Sequence, residues 1–397
     1  MQKQKFLWKA ILVLSFIIGG TLFGQISPEI QLGARGVMSV NVDARSNQTA
    51  SAINDFSDSG ILFGFRQKLY SDFRGQFVIG MQFPDANSDL GQIFFHQTFI
   101  KIEDRTNIIK LGRSRVASSL IEFPTLRDDD ALFFTDVLNP FSLGVNSEDN
   151  QYGNVFEYTH IFGQRFHLKI HGEHFTESPK APETTETDFS LNAMGVSFVY
   201  RVPSSQLWER PVVQQIGIGF NNFFTDREGY TERYDKMLKN ISFSAIFNVL
   251  RDPVYFLDFR TQVIYNGGFD EIKSVTDFYS MSRAASVSSF ASLRFLFRKL
   301  ERPSLQVSVS AGYKSFLELE NSSKQLQLIF NTFYRLGAGF DVGLQIQYNN
   351  NQGDLSALYG GNETRFQLAV VYSIEQLWNS QFDDRESLLN LEHGYIP

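Results

Sequence analysis

From residue 30 onward the chain alternates apolar and polar side chains, segment after segment, with the two-residue period of a β-strand. The stretch 304–314 is the clearest case. Leu305, Val307, Val309, Ala311 and Tyr313 fall on one face, and Gln306, Ser308, Ser310, Gly312 and Lys314 on the other. A soluble sandwich would bury the apolar face in a core. Here the strands are long, and the polar faces offer few apolar partners from which to build one. The pattern predicts an all-β fold: a transmembrane antiparallel β-barrel turned inside out, with lipid against the apolar face and water against the polar one.

Sixteen strands are expected, over 30–43, 58–70, 74–83, 93–103, 107–114, 153–162, 165–175, 188–202, 212–224, 239–250, 254–267, 286–298, 304–318, 323–335, 340–350 and 363–374. The connections alternate in kind. Short ones fall at 71–74, 104–106, 163–164, 251–253, 299–303 and 337–339. Longer polar ones fall at 44–57, 84–92, 115–152, 176–187, 225–238, 268–285 and 351–362. Short turns on one side and long loops on the other suit a barrel in an outer membrane. The connection 203–211 is longer than its class. An even number of strands returns both chain ends to the periplasmic side.

Residues 1–24 have the form of a secretory signal peptide. Lys3, Lys5 and Lys9 precede an apolar run from Ala10 to Phe23 and small residues at a cut near Gly24. That run is shorter than a spanning helix needs, roughly 20 residues. The expected organisation is therefore signal peptide 1–24, barrel 25–374 and periplasmic tail 375–397. The tail carries Trp378, Phe382 and the pair Asp383–Asp384, and it is either an unstructured extension or a docking peptide for a periplasmic or envelope protein.

Composition narrows the picture. Aromatics make up 15% of the chain, including 40 Phe, and they serve both strands and interfacial girdles. There is no cysteine, which removes disulfides and thiolate metal sites. The net charge of -7 argues against a nucleic-acid partner.

The candidate chemistry lies in a pore. Loop 115–152 mixes Glu122, Asp128, Asp129, Asp130 and Asp136 with Phe123, Leu126, Phe133, Phe134 and Phe141. Folded against the inner wall, such a loop packs its aromatics and turns its carboxylates to the water path. Strand parity supplies the opposite charge. With Ala34, Gly36, Met38 and Val40 facing lipid, Arg35 faces inward, and so by the same counting do Arg66, Lys68, Arg201, Arg260, Arg294, Lys314 and Arg365. Charge on the lipid face of a barrel costs roughly 2–4 kcal/mol at mid-depth. A basic wall opposite an acidic loop sets a transverse field across the narrow part. Arg113 falls on the lipid side of the same count unless its strand has ended.

The triple aspartate lacks the spaced ligands and glycine of a calcium loop. His167 and His171 share the inward face with Lys169 and Glu173, as ordinary lumen residues or as a metal or proton-sensing site. The sequence contains no phosphate-binding loop, zinc-protease helix or nucleophile elbow. No catalytic residue, cofactor or metal is assigned.

The run from Phe94 to Arg113, ending Leu111-Gly112-Arg113 and followed by the long third loop, resembles a stretch of the Gram-negative outer-membrane porins. That resemblance implies a third extracellular loop folded into the lumen, passive diffusion of small hydrophilic solutes or ions, and a homotrimer in the outer membrane. In place of the proline-glutamate-phenylalanine-glycine element common in that loop stands Glu122-Phe-Pro-Thr-Leu-Arg-Asp-Asp-Asp130. The alternative is a non-transporting accessory or structural barrel, a subunit of an outer-membrane assembly or secretion complex.

Overall fold

A computed structural model describes residues 28–45, 51–55, 59–70, 72–82, 94–115, 152–174, 193–203, 211–224, 237–252, 254–267, 284–299, 302–317, 319, 321–337 and 339–380. Its strands are β1 (Glu29–Arg45), β2 (Ser51–Asp55), β3 (Gly60–Tyr70), β4 (Phe73–Gln82), β5 (Phe94–Glu103), β6 (Asn107–Arg115), β7 (Tyr152–Phe162), β8 (Phe166–His174) and β9 (Ala193–Arg201). They continue as β10 (Val213–Phe224), β11 (Met237–Arg251), β12 (Tyr255–Asn266), β13 (Ser286–Lys299), β14 (Arg302–Phe316), β15 (Lys324–Gly337), β16 (Phe340–Gln352) and β17 (Asn362–Trp378). One short helix, α1 (Asp354–Tyr359), sits between β16 and β17.

From β3 onward every strand pairs antiparallel with its chain neighbour, and β1 pairs with β17 from Ile30↔Trp378 to Arg45↔Glu363. The sheet is thereby closed, which leaves no raw edge for lipid to meet. β2 and β3 share one stave. β3 pairs with the start of β1, as at Glu29↔Arg66, and β2 with its far end, as at Asp43↔Ser51. The ring therefore has 16 staves, the number expected from the alternation.

The two faces differ as the pattern requires. Met38, Ile100, Phe156, Phe220, Phe243 and Leu328 belong to a broad exposed apolar surface on the outside. The inward positions of the same strands carry Gln, Asn, Ser, Arg and Lys side chains, most of them buried. An apolar cluster of Leu62, Val78 and Phe99 interrupts this polar lining on β3 to β5. At the short-turn end, outward aromatics meet across strands. Phe166 lies 5.3 Å from Tyr200, Tyr255 lies 5.5 Å from Phe297, and Phe340 lies 4.3 Å from Tyr372. Rings with an apolar body suit the border between hydrocarbon and water.

Local chemistry sets the turns. Gly163 and Gln164 both take positive φ, 56° and 65°, as a tight hairpin demands. Between β5 and β6 the Asp104 carboxylate accepts hydrogen bonds from the backbone N–H groups of Thr106 and Asn107, each at 2.6 Å. The long connection after β9 has both ends fixed to the barrel: Val202 N–H donates to the Gln214 carbonyl at 2.9 Å, and Asn248 N–H to Val212 at 2.7 Å.

Several boundaries differ from expectation. β17 runs on to Trp378 rather than stopping at 374, because the start of β1 offers Ile30 to Gly33 as partners for those last residues. β2 and α1 lie inside segments expected to be loops. β6 extends through Arg113 to Arg115, and Arg113 pairs with Thr98, an exposed outward residue. Arg113 therefore stands on the outward side of the register.

Candidate functional site

The lumen wall is built by register. Residues paired along successive strands form rows, and two rows carry most of the described charge on the β4–β10 side. One runs Gln76, Lys101, Lys110, Glu157, His171, Gly195, Asn221. The next runs Arg74, Glu103, Ile108, Thr159, Lys169, Ser197, Gly219.

Within these rows Lys101 Nζ lies 2.9 Å from Glu103 Oε2, and Lys110 Nζ lies 4.0 Å from Glu157 Oε2. Lys110 also stands over the Phe99 ring, 5.3 Å from its centre, a cation–π contact that steers the ammonium group. The ammonium groups of Lys169, Lys110 and Lys101 act on Glu157. His171 and Asn221 meet above Gly195 of β9. Gly195 lies between them, and a Cβ there would approach His171 Nε2 to 2.6 Å. The glycine is thus the gap through which two strands reach over a third.

The other side of the wall holds tighter pairs. Asp258 is 0% exposed and receives both Arg260 and Arg294; Arg294 Nε donates to Asp258 Oδ2 at 3.0 Å. Arg66, 1% exposed, donates to Glu29 at 3.3 Å. Arg365 donates to Glu363 at 3.2 Å, and Lys314 stands 5.0 Å from the centre of the Phe316 ring.

Arg35, Arg66, Arg201, Arg260, Arg294 and Arg365 stand at inward register positions. Arg35 stands on β1, opposite Ser373 and Gly60. The structure brings Arg260 and Arg294 together on one carboxylate; Arg66 and Arg365 sit on other staves, each beside a wall carboxylate of its own. Lys68 and Arg201 keep inward parity but lie exposed near the short-turn rim. Glu122, Asp128, Asp129, Asp130 and Asp136 lie outside the described residues. The sequence reading missed the wall carboxylates Glu29, Glu157, Asp258 and Glu363. Their inward parity was legible, but their partners depend on register. Among the described residues no group of three or more His, Cys, Asp or Glu is placed to hold a metal ion.

No known protein-family profile and no curated protein matches the chain. Solved structures do. An anion-selective porin from Comamonas acidovorans is 11% identical, with a TM-score of 0.58 over 87% of this chain and 99% of that one. The outer-membrane channel DcaP of Acinetobacter baumannii is 11% identical, with a TM-score of 0.58 over 87% and 97%. OmpT, an outer membrane protein of Vibrio cholerae solved in a trimer form, is 7% identical, with a TM-score of 0.54 over 87% and 99%. At these identities the likeness is one of fold, and it extends over nearly the whole of each neighbour. The chain has the porin fold.

Proposed function

We propose that this chain is an outer-membrane porin, a water-filled passage for passive diffusion of small hydrophilic solutes or ions, with no chemical step. The observation that carries this reading is the inversion of the wall: a continuous apolar exterior, bordered by aromatics, around an interior of amides, hydroxyls and charges. A full-length likeness to porins supports it. In this reading residues 1–24 direct export, the barrel runs from 25 to the end of β17, and the remaining tail lies in the periplasm. Loop 115–152 folds inward as the constriction. There Glu122, Asp128, Asp129, Asp130 and Asp136 face the basic wall that includes Arg35, Arg66, Arg260, Arg294 and Arg365. A homotrimer is the proposed assembly, supported by a trimeric neighbour.

Reconstitution of the purified protein into planar bilayers tests the proposal. Stable open-channel steps are expected, and deletion of 381–397 should leave their conductance intact. Electrical silence, together with co-purifying envelope proteins, would point instead to a non-transporting subunit. Replacing Asp128, Asp129 and Asp130 by Asn should lower the cation-to-anion permeability ratio; an unchanged ratio removes them from the constriction.

A further inference from the structure

We propose that the β5–β9 wall carries a binding site for a small multivalent oxyanion of the phosphate type, built from Lys101, Lys110, Lys169 and Ser197 around Glu157. The inference rests on the channel reading and gives it a solute class.

Accessibility separates Lys110 and Glu157 from the Asp258–Arg294 and Glu29–Arg66 pairs. The Asp258 side chain is 0% exposed and that of Arg294 7%, so that pair is sealed into the wall. The side chains of Lys110 and Glu157 keep 20% and 15% exposure, and Lys169 is likewise half-buried. A solute in the bore therefore reaches them. Charge gives the sign. Arg74 pairs in register with Glu103, which Lys101 also holds, and Lys110 and Lys169 flank Glu157. Basic groups outnumber carboxylates, and His171 adds a further donor beside them. Lysines act on an anion as mobile point charges that adapt to tetrahedral oxygens.

Ser197 is the independent observation. It is 4% exposed, faces inward and pairs in register with Lys169. Its hydroxyl has no hydrogen-bond partner among the described residues. A buried hydroxyl without a partner costs stability, and an oxyanion held by Lys169 would supply the acceptor. Thr159, on the other side of Lys169 in the same row, extends the hydroxyl lining. Glu157 then plays a definite part: it occupies the ammonium groups while no solute is bound and competes with the solute for them.

That competition makes the test sharp. The full chain is reconstituted in planar bilayers, chloride current is recorded, and inorganic phosphate is titrated in at constant ionic strength. Wild type should show saturable block. The K110Q/K169Q double variant should need about tenfold more phosphate for half-block, as expected for losing charge-assisted contacts. Glu157→Gln should move the other way and tighten the block several-fold, which general damage to the barrel would not do. Chloride steps without saturable block, or equal half-block in all three proteins, would overturn the site while leaving the channel reading standing. Should no channel steps appear, the channel reading fails alone. Equilibrium dialysis of phosphate against the detergent-solubilised chain then decides the site by the same ordering of the three proteins.

Discussion

Asp104 shows how much a single carboxylate does in a two-strand turn. It accepts from the Asn107 side chain, from Thr106 N–H, from Asn107 N–H and from the Thr106 hydroxyl, and these bonds lower its pKa from 3.8 to about 2. A depressed carboxylate contributes stability that is present above its unfolded pKa and lost as the pH falls through its folded one. The turn should therefore keep Asp104's contribution down to about pH 4 and lose it toward about pH 2. Urea unfolding of wild type and Asp104→Ala against pH should show a gap at neutrality that closes in that window. A gap that persists at the acid end would mean the carboxylate is not the source. Gly195 makes the opposite kind of demand, for empty space. Gly195→Val should displace His171 from Asn221, and an NMR shift of the His171 ring should report it. Neither role was legible in the sequence: Asp104 was visible only as part of a short turn, and Gly195 becomes a gap only once β8 and β10 are known to flank it.

For whole strands, the sequence carried most of the information. Water on one side and hydrocarbon on the other impose the two-residue period on every stave, so sixteen staves and their inward faces could be counted before any pairing was known. β2 and α1 escaped because each is too short for periodicity to speak. β2 exists by continuing the stave of β3, and α1 packs Leu355 into a buried position. Depth along a strand adds a prediction. Phe330 lies mid-way along β15 and Leu336 near its short-turn end, both exposed outward. Phe330→Lys should cost roughly 2–4 kcal/mol in lipid, whereas Leu336→Lys should cost about 0–1 kcal/mol. Equal penalties in a vesicle-refolding assay would contradict the assigned membrane level. Gly112 has φ of +124°, and a side chain there would press on the Thr98 carbonyl. Gly112→Ala should destabilise β6 by about 1–3 kcal/mol, read from the same assay.

At the level of the whole molecule the ion pairs were the least legible part. Asp258 meets Arg294 because β12 and β13 adjoin in one register, and a shift of two residues would leave both groups inward yet apart. Parity tells which way a charge points; only pairing tells what it meets. The exterior makes a claim that needs no site at all: the chain should require detergent or lipid to stay in solution, and a monodisperse detergent-free preparation would end the membrane reading. The seam between β1 and β17 has a consequence for biogenesis. The first stave to be synthesised is completed only by the last, so the ring joins residues from nearly opposite ends of the polypeptide, and such distant partners find one another slowly. A translation product cut short before Asn362 would leave two strands with unmet amides facing acyl chains. Sealing is thus an inspection of length: only a polypeptide made to its final stave can close the ring and hide its last unmet amides.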